Sequence, residues 1–197
     1  MKENKISEKV MALIEKQIDK TINPALVEVA PEKRLTKDLR LDSLDRLGLA
    51  IIFEKEFGIA IRNEEEEKLS TVQDAIDLVA EKVIMKTIAE KLERKIENVT
   101  PDKRFIEDLG GDSIDRMEIA LTFENMFGIE ITNAEEENIK TVRDIMNLVN
   151  QKTQPLEPLK VKSRNIIQKA REIGLNDQTN EILNSIPKNI IAEEKSK

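Results

Sequence analysis

Along the first three quarters of this 197-residue chain, apolar residues recur every three or four positions with charged residues between them, the pattern of helices that bury one face. Val10, Leu13, Ile14 and Ile18 predict a first helix over about residues 7–22. A long loop over 23–41 leads to a second helix over 43–57, stopped by Gly58 in the left-handed position that closes helices. After an extended GIAI, Asn63 with Glu66 reads as the capping box of a short third helix. Thr71 with Asp74 reads as that of a fourth, reaching about Lys82. The same signals return at Gly128, at Asn133 with Glu136, and at Thr141 with Asp144.

Displacing the chain by 70 residues aligns 31–82 with 101–152 without a gap, and 26 of the 52 positions are identical. The expected fold is therefore all-α: two tandem four-helix bundles, one helix short in each, followed by a helical tail. The expected domains are 1–82, 83–152 and a basic tail, 153–197, set off by Pro155 and Pro158. From 72 to 99 there is no Gly, Pro or Ser, so the last helix of the first bundle should run directly, or through a short kink, into the second bundle.

The second helix of each copy carries two apolar stripes where one would suffice. Leu49, Ala50, Phe53 and Phe57 form an inward stripe. Leu44, Leu47 and Ile51, with counterparts Ile114, Met117 and Leu121, form another at i, i+3, i+7 spacing. Flanked by the acids Asp45, Asp115 and Glu118, the second stripe reads as an exposed contact patch.

Each of these helices opens on an Asp-Ser pair. Asp42 and Asp112 are placed as N-caps, and Asp45 and Asp115 put further acid at the positive end of the helix dipole. Ser43 and Ser113 should then present their hydroxyls to solvent, where a phosphate on the oxygen would meet free N–H groups and the dipole.

Composition narrows the functions available. There is no His, Cys, Trp or Tyr, so the usual general base, the Ser-His nucleophile, disulfides and thiolate metal sites are all excluded. This argues against catalysis by the chain's own side chains. The net charge of −7 argues against nucleic acid and for docking onto basic surfaces. No apolar run approaches the ~18 residues of a membrane span and no signal-peptide pattern is present, so a cytoplasmic location is expected.

The loop-DSL serine at a helix start, the acids along that helix, the Phe-Gly-Ile at its end and the T-V-x-D opening of the last helix together resemble the acyl carrier protein family, over about residues 6–152. The resemblance implies that Ser113 and Ser43 are each esterified by 4′-phosphopantetheine, donated from coenzyme A by a separate phosphopantetheinyl transferase. Asp112 and Asp42 would help to hold the Mg²⁺ of that reaction. An acyl group would ride as a thioester on the arm, presented to acyl-transfer and synthase enzymes of fatty acid, polyketide or related lipid biosynthesis. A peptidyl or aminoacyl carrier, and an unmodified acidic interaction module, are the alternatives.

The copies depart unequally from the family pattern. The second keeps LGGDSIDRME, whereas Arg40 and Leu41 stand in place of the two glycines in the first and Gly48 in place of Glu118. The first copy is therefore expected to be modified or docked less well than the second.

Overall fold

Helix starts in this chain are fixed by short polar side chains, and the computed structural model places most of them where the sequence predicts. It describes residues 4–18 and 28–153. These form α1 (Lys5–Ile18), α2 (Ser43–Phe57), α3 (Asn63–Glu66), α4 (Val72–Lys91), α5 (Ser113–Phe127), α6 (Asn133–Glu137) and α7 (Val142–Thr153), with a 3-10 turn at Ile96–Asn98. The predicted end of the first helix near Ile22, and the helical tail beyond Thr153, lie outside the described residues.

Both predicted α2-type helices end at a left-handed glycine, Gly58 at φ 62° and Gly128 at φ 65°. The short helices correct the sequence reading by one residue. Their N-caps are Arg62 and Thr132, with Glu65 and Glu135 closing the box, and not Asn63 and Asn133 with Glu66 and Glu136. Thr132 makes both halves of the box, its hydroxyl accepting from the Glu135 N–H while its own N–H donates to the Glu135 carboxylate. Arg62 makes only the second half, because a guanidinium has no acceptor.

The fold is all-α, a four-helix bundle built twice, and its two long loops close in the same way. Leu35 donates to the Ser70 carbonyl and Val72 to that of Lys33; seventy residues on, Phe105 donates to Lys140 and Val142 to Lys103. Each loop is thereby pinned across the start of its last helix. Ion pairs repeat as well: Lys82 with Glu65 at 2.7 Å, Lys152 with Glu135 at 2.8 Å.

One helix belongs to both bundles. α4 is uninterrupted for 20 residues, about 30 Å at 1.5 Å per residue. Val72, Ala75, Ile76 and Val79 are buried along its first half and Val83, Ile84, Ile88 and Ala89 along its second. Lys82 and Val83, where the sequence suggests a domain boundary, lie mid-helix. α1 packs on α2 and α4 and also reaches α5, so residues of both copies join a single buried cluster running from Ile6 to Val149. The expectation of continuous helix beyond Lys91 is not met. Leu92 caps α4 and Glu93 turns the chain at φ 51°, occupying without glycine the left-handed position that ends a helix.

Candidate functional site

The first turns of α2 and α5 are built identically. Asp112 Oδ1 accepts from the N–H groups of Ile114 and Asp115 at 2.7 and 2.9 Å, and Asp115 Oδ2 accepts from the Asp112 N–H at 2.9 Å. Asp42 does the same for Leu44 and Asp45 at 2.8 and 2.9 Å, with Asp45 accepting in return at 3.0 Å. Two acids three residues apart thus make a full capping box, in which the second Asp does more than complement the dipole. The expectation that free N–H groups would face a phosphate is corrected: those of the second and third helical residues are already engaged by the cap. What remains for an anion on the serine is the serine's own N–H, the first of the helix, together with the dipole.

Ser43 and Ser113 are the first residues of their helices and are exposed, and neither hydroxyl makes a hydrogen bond among the described residues. Asp42 and Asp112 each use one carboxylate oxygen for the cap, leaving Oδ2 without a partner among the described residues. In each copy, therefore, a residue with an unengaged hydroxyl directly follows one with an unengaged carboxylate oxygen.

The second apolar stripe turns outward in both copies. Leu44 is 74% exposed, Ile51 56%, Ile114 60% and Leu121 53%, with Leu47 and Met117 also on the surface. Leu49, Phe53, Ile119 and Phe123 point into the core from the same helices. The structure thus separates the two stripes as the spacing suggests, except that Phe57 is only partly buried, with the Lys9 ammonium 5.4 Å above its ring. Glu118 is exposed and lies 3.5 Å from Lys91.

The loop before each serine is where the two copies differ. Leu41 and Gly111 are both buried, and each donates its N–H to the equivalent carbonyl, Leu35 at 2.9 Å and Phe105 at 3.1 Å. A Cβ added at Gly111 would sit 2.5 Å from the Phe105 ring. In the first copy the smaller Leu35 makes room and the Leu41 side chain fills it, both fully buried. Loss of the glycine is half of a paired core exchange.

One positive-φ position is shared by the two loops, and it holds Arg40 at 57° in one and Gly110 at 71° in the other. Arg94 was not singled out by the sequence. Its Nε donates to the Leu109 carbonyl at 2.8 Å, so the end of α4 steadies the approach to Ser113. Nothing periodic or motif-like marks it, since the contact depends on where α4 happens to stop. Each serine helix is also tied to its short helix by an ion pair, Arg116–Glu136 at 2.7 Å and the looser Arg46–Glu66 at 3.6 Å.

An exposed serine at a capped helix start, on an all-α bundle, is the kind of point at which a protein can hold a covalently attached group. Comparison with known proteins agrees. The family profile described as "Phosphopantetheine attachment site" matches residues 82–149. The acyl carrier protein of Thermosynechococcus vestitus is 42% identical over 83 residues, 42% of this chain and 98% of its own length. That of Rickettsia bellii is 38% identical over 80 residues, 41% of this chain and 92% of its own. A solution structure of the apo doublet acyl carrier protein from prodigiosin biosynthesis aligns over 79% of this chain and 92% of its own, at TM-score 0.30 and 15% identity, too distant to bear on the arrangement here.

The chain belongs to the acyl carrier protein family. It is a carrier, not an enzyme, and its prosthetic group is 4′-phosphopantetheine. Membership implies a phosphopantetheinyl transferase and acyl-handling enzymes as partners. Among the described residues no helix is long and apolar enough to cross a membrane.

Proposed function

We propose that the chain is a double carrier, with domains at 1–82 and 83–152, holding one acyl group on Ser113 and a second on Ser43. The observation that carries this reading is that the same exposed, hydrogen-bond-free serine, with the same double-aspartate cap, is built twice in one fold. The residues fit the group. Each Oγ is open to a transferase, and attack on the diphosphate of coenzyme A forms the phosphodiester and releases adenosine bisphosphate. The free Oδ2 of Asp112 or Asp42 is suited to help hold the Mg²⁺ of that transfer. Once attached, the arm supplies the thiol that this cysteine-free chain lacks.

The relatives' names favour acyl cargo over aminoacyl cargo, hence fatty acid or polyketide assembly. Docking would fall on Leu44, Asp45, Leu47 and Ile51 in the first copy, and on Ile114, Asp115, Met117, Glu118 and Leu121 in the second. The exposed stripe supplies the contact in both copies, and in the second the acids attract basic partner surfaces. Because Leu41 completes the first core, both serines should be competent, with Ser113 faster for a transferase that docks on Glu118.

Intact-mass analysis after incubation with coenzyme A and a promiscuous transferase tests this. Wild type should gain two phosphopantetheine increments, and Ser43→Ala and Ser113→Ala one each. A wild-type chain that stops at one increment refutes the double carrier; none at all, with an active transferase, refutes attachment.

A further inference from the structure

The two serine faces share a backbone and an apolar stripe, yet they carry opposite charge. Over residues 34–48 four cations face three acids, a formal +1; over 104–118 two cations face five acids, a formal −3. The difference comes from three positions: Lys37 against Glu107, Arg40 against Gly110, and Gly48 against Glu118.

All the other charges of these stretches are matched and similarly engaged. Arg34 pairs with Asp38 and Arg104 with Asp108, at 2.8 and 3.0 Å. Arg46 and Arg116 face Glu66 and Glu136, and the four cap aspartates bond backbone N–H groups. Lys37 and Arg40 have no ion-pair partner among the described residues, and neither has Glu107; all three are exposed. Arg40 stands outward between the buried Leu39 and Leu41. It keeps the left-handed conformation that Gly110 adopts freely, a local conflict costing about 1 kcal/mol that core packing does not explain. Two cations reach the second face from the end of α4: Lys91 beside Glu118, and Arg94 at the Leu109 carbonyl. Counting them, that face is still −1 where the first is +1. Nor is the missing acid at 48 a steric necessity, because a Cβ there meets only Gln17 at an ordinary 3.5 Å.

We infer that the two carriers are addressed to different proteins: the face around Ser43 docks a partner whose apolar groove is rimmed by carboxylates opposite Lys37 and Arg40. The face around Ser113 docks basic surfaces. This rests on the double-carrier reading for its use, although the surface difference itself does not. Like charges brought together at a rim slow encounter and disfavour the wrong complex, so one chain can keep two partners apart without any change of fold.

The test uses the full-length apo chain, labelled with ¹⁵N, and two synthetic amphipathic helical peptides with the same leucine stripe, one flanked by Glu and the other by Lys. The Glu-flanked peptide should shift amides of 34–51 at about fivefold lower concentration than those of 104–121, and the Lys-flanked peptide the reverse, the gap closing as salt rises. The triple variant Lys37→Glu/Arg40→Gly/Gly48→Glu should lose the preference of its first face for the Glu-flanked peptide while its spectrum elsewhere stays put. Both peptides choosing the same face, equal titration of both faces, or an unaltered preference in the triple variant overturns the inference. No step depends on loading, so a chain that sorts the peptides but gains one mass increment, or gains two but does not sort, tells this idea's failure from that of the double carrier.

Discussion

Gly111→Leu should be among the most damaging substitutions in the second bundle, and Phe105→Leu should rescue it. A Cβ at Gly111 falls 2.5, 2.9 and 3.2 Å from three carbons of the Phe105 ring, which is fully buried and has no exit to solvent. Overpacking of this kind costs about 1–3 kcal/mol, and a whole leucine belongs at the upper end. Phe105→Leu alone leaves a partial cavity, at about 1–2 kcal/mol. Together they recreate the Leu35 and Leu41 pair, which the same backbone accommodates at zero exposure in the first copy. The double variant should therefore lie within about 1.5 kcal/mol of wild type, where the singles sum to about 4–5, a coupling of roughly 3 kcal/mol. Urea unfolding of the full chain followed by circular dichroism, with m-values compared across the cycle, measures it. Additive singles, or a Gly111→Leu chain within about 0.5 kcal/mol of wild type, would refute the idea that the two residues compete for one volume.

Arg40→Gly should raise stability by about 0.5–1 kcal/mol, because strain is relieved at φ 57°; a loss in the same urea assay would show that the arginine makes a contact of its own. Asp77 stands at the surface on the edge of a cleft lined by Ile6, Ile76 and Phe127, and partial desolvation there, with Asp74 nearby, raises its pKa in spite of the Gln73 amide. Its folded value then exceeds its unfolded one, so ionisation costs stability at neutral pH. Asp77→Asn should stabilise at pH 7 and lose that advantage below about pH 4, and a gain that persists in acid would contradict the cause given. Burial alone would lift Glu65, but hydrogen bonds from Arg62 and Lys82 outweigh it and hold it at about 2; Lys152 and the Thr132 N–H bring Glu135 to about 2, and Arg104 does so for Asp108. These depressed carboxylates stabilise above their ordinary values of 4.5 and 3.8, and that contribution disappears as pH falls toward 2. Urea midpoints should accordingly be level from about pH 7 to 5 and fall below about 4.5, with a shallower fall in Glu65→Gln/Glu135→Gln.

Helix positions, the serine caps and the outward stripe were readable because each depends on residues within a turn or two of one another. Asp112 and Asp115, or Leu44, Leu47 and Ile51, carry their geometry in their spacing. The short helices slipped by one because on composition alone Asn133 is as good a cap as Thr132 and Asn63 a better one than Arg62, and only the backbone decides. Arg40 and Leu41 looked like erosion of a glycine pair, since nothing local says that a side chain at position 111 and the ring of Phe105, six residues before it, claim the same space. The stop at Lys91 was unreadable for a related reason: Glu93 accepts a left-handed turn that sequence rules reserve for glycine, while Arg94 is held on Leu109.

The shared helix also acts as a ruler on the chain's history. Val79 and Val83 are buried on successive turns of α4, for the first bundle and the second. One residue inserted between them would rotate everything downstream by about 100° and advance it 1.5 Å, swinging Ile84 and Ile88 out of the core. Seven residues would nearly restore the rotation, yet would push the bundles about 10 Å apart and pull α5 off α1. Deleting either half would leave the other with an unpartnered apolar helix face. Neither copy can be re-spaced along this helix without losing core, so the separation of the two bundles along α4 is held by geometry.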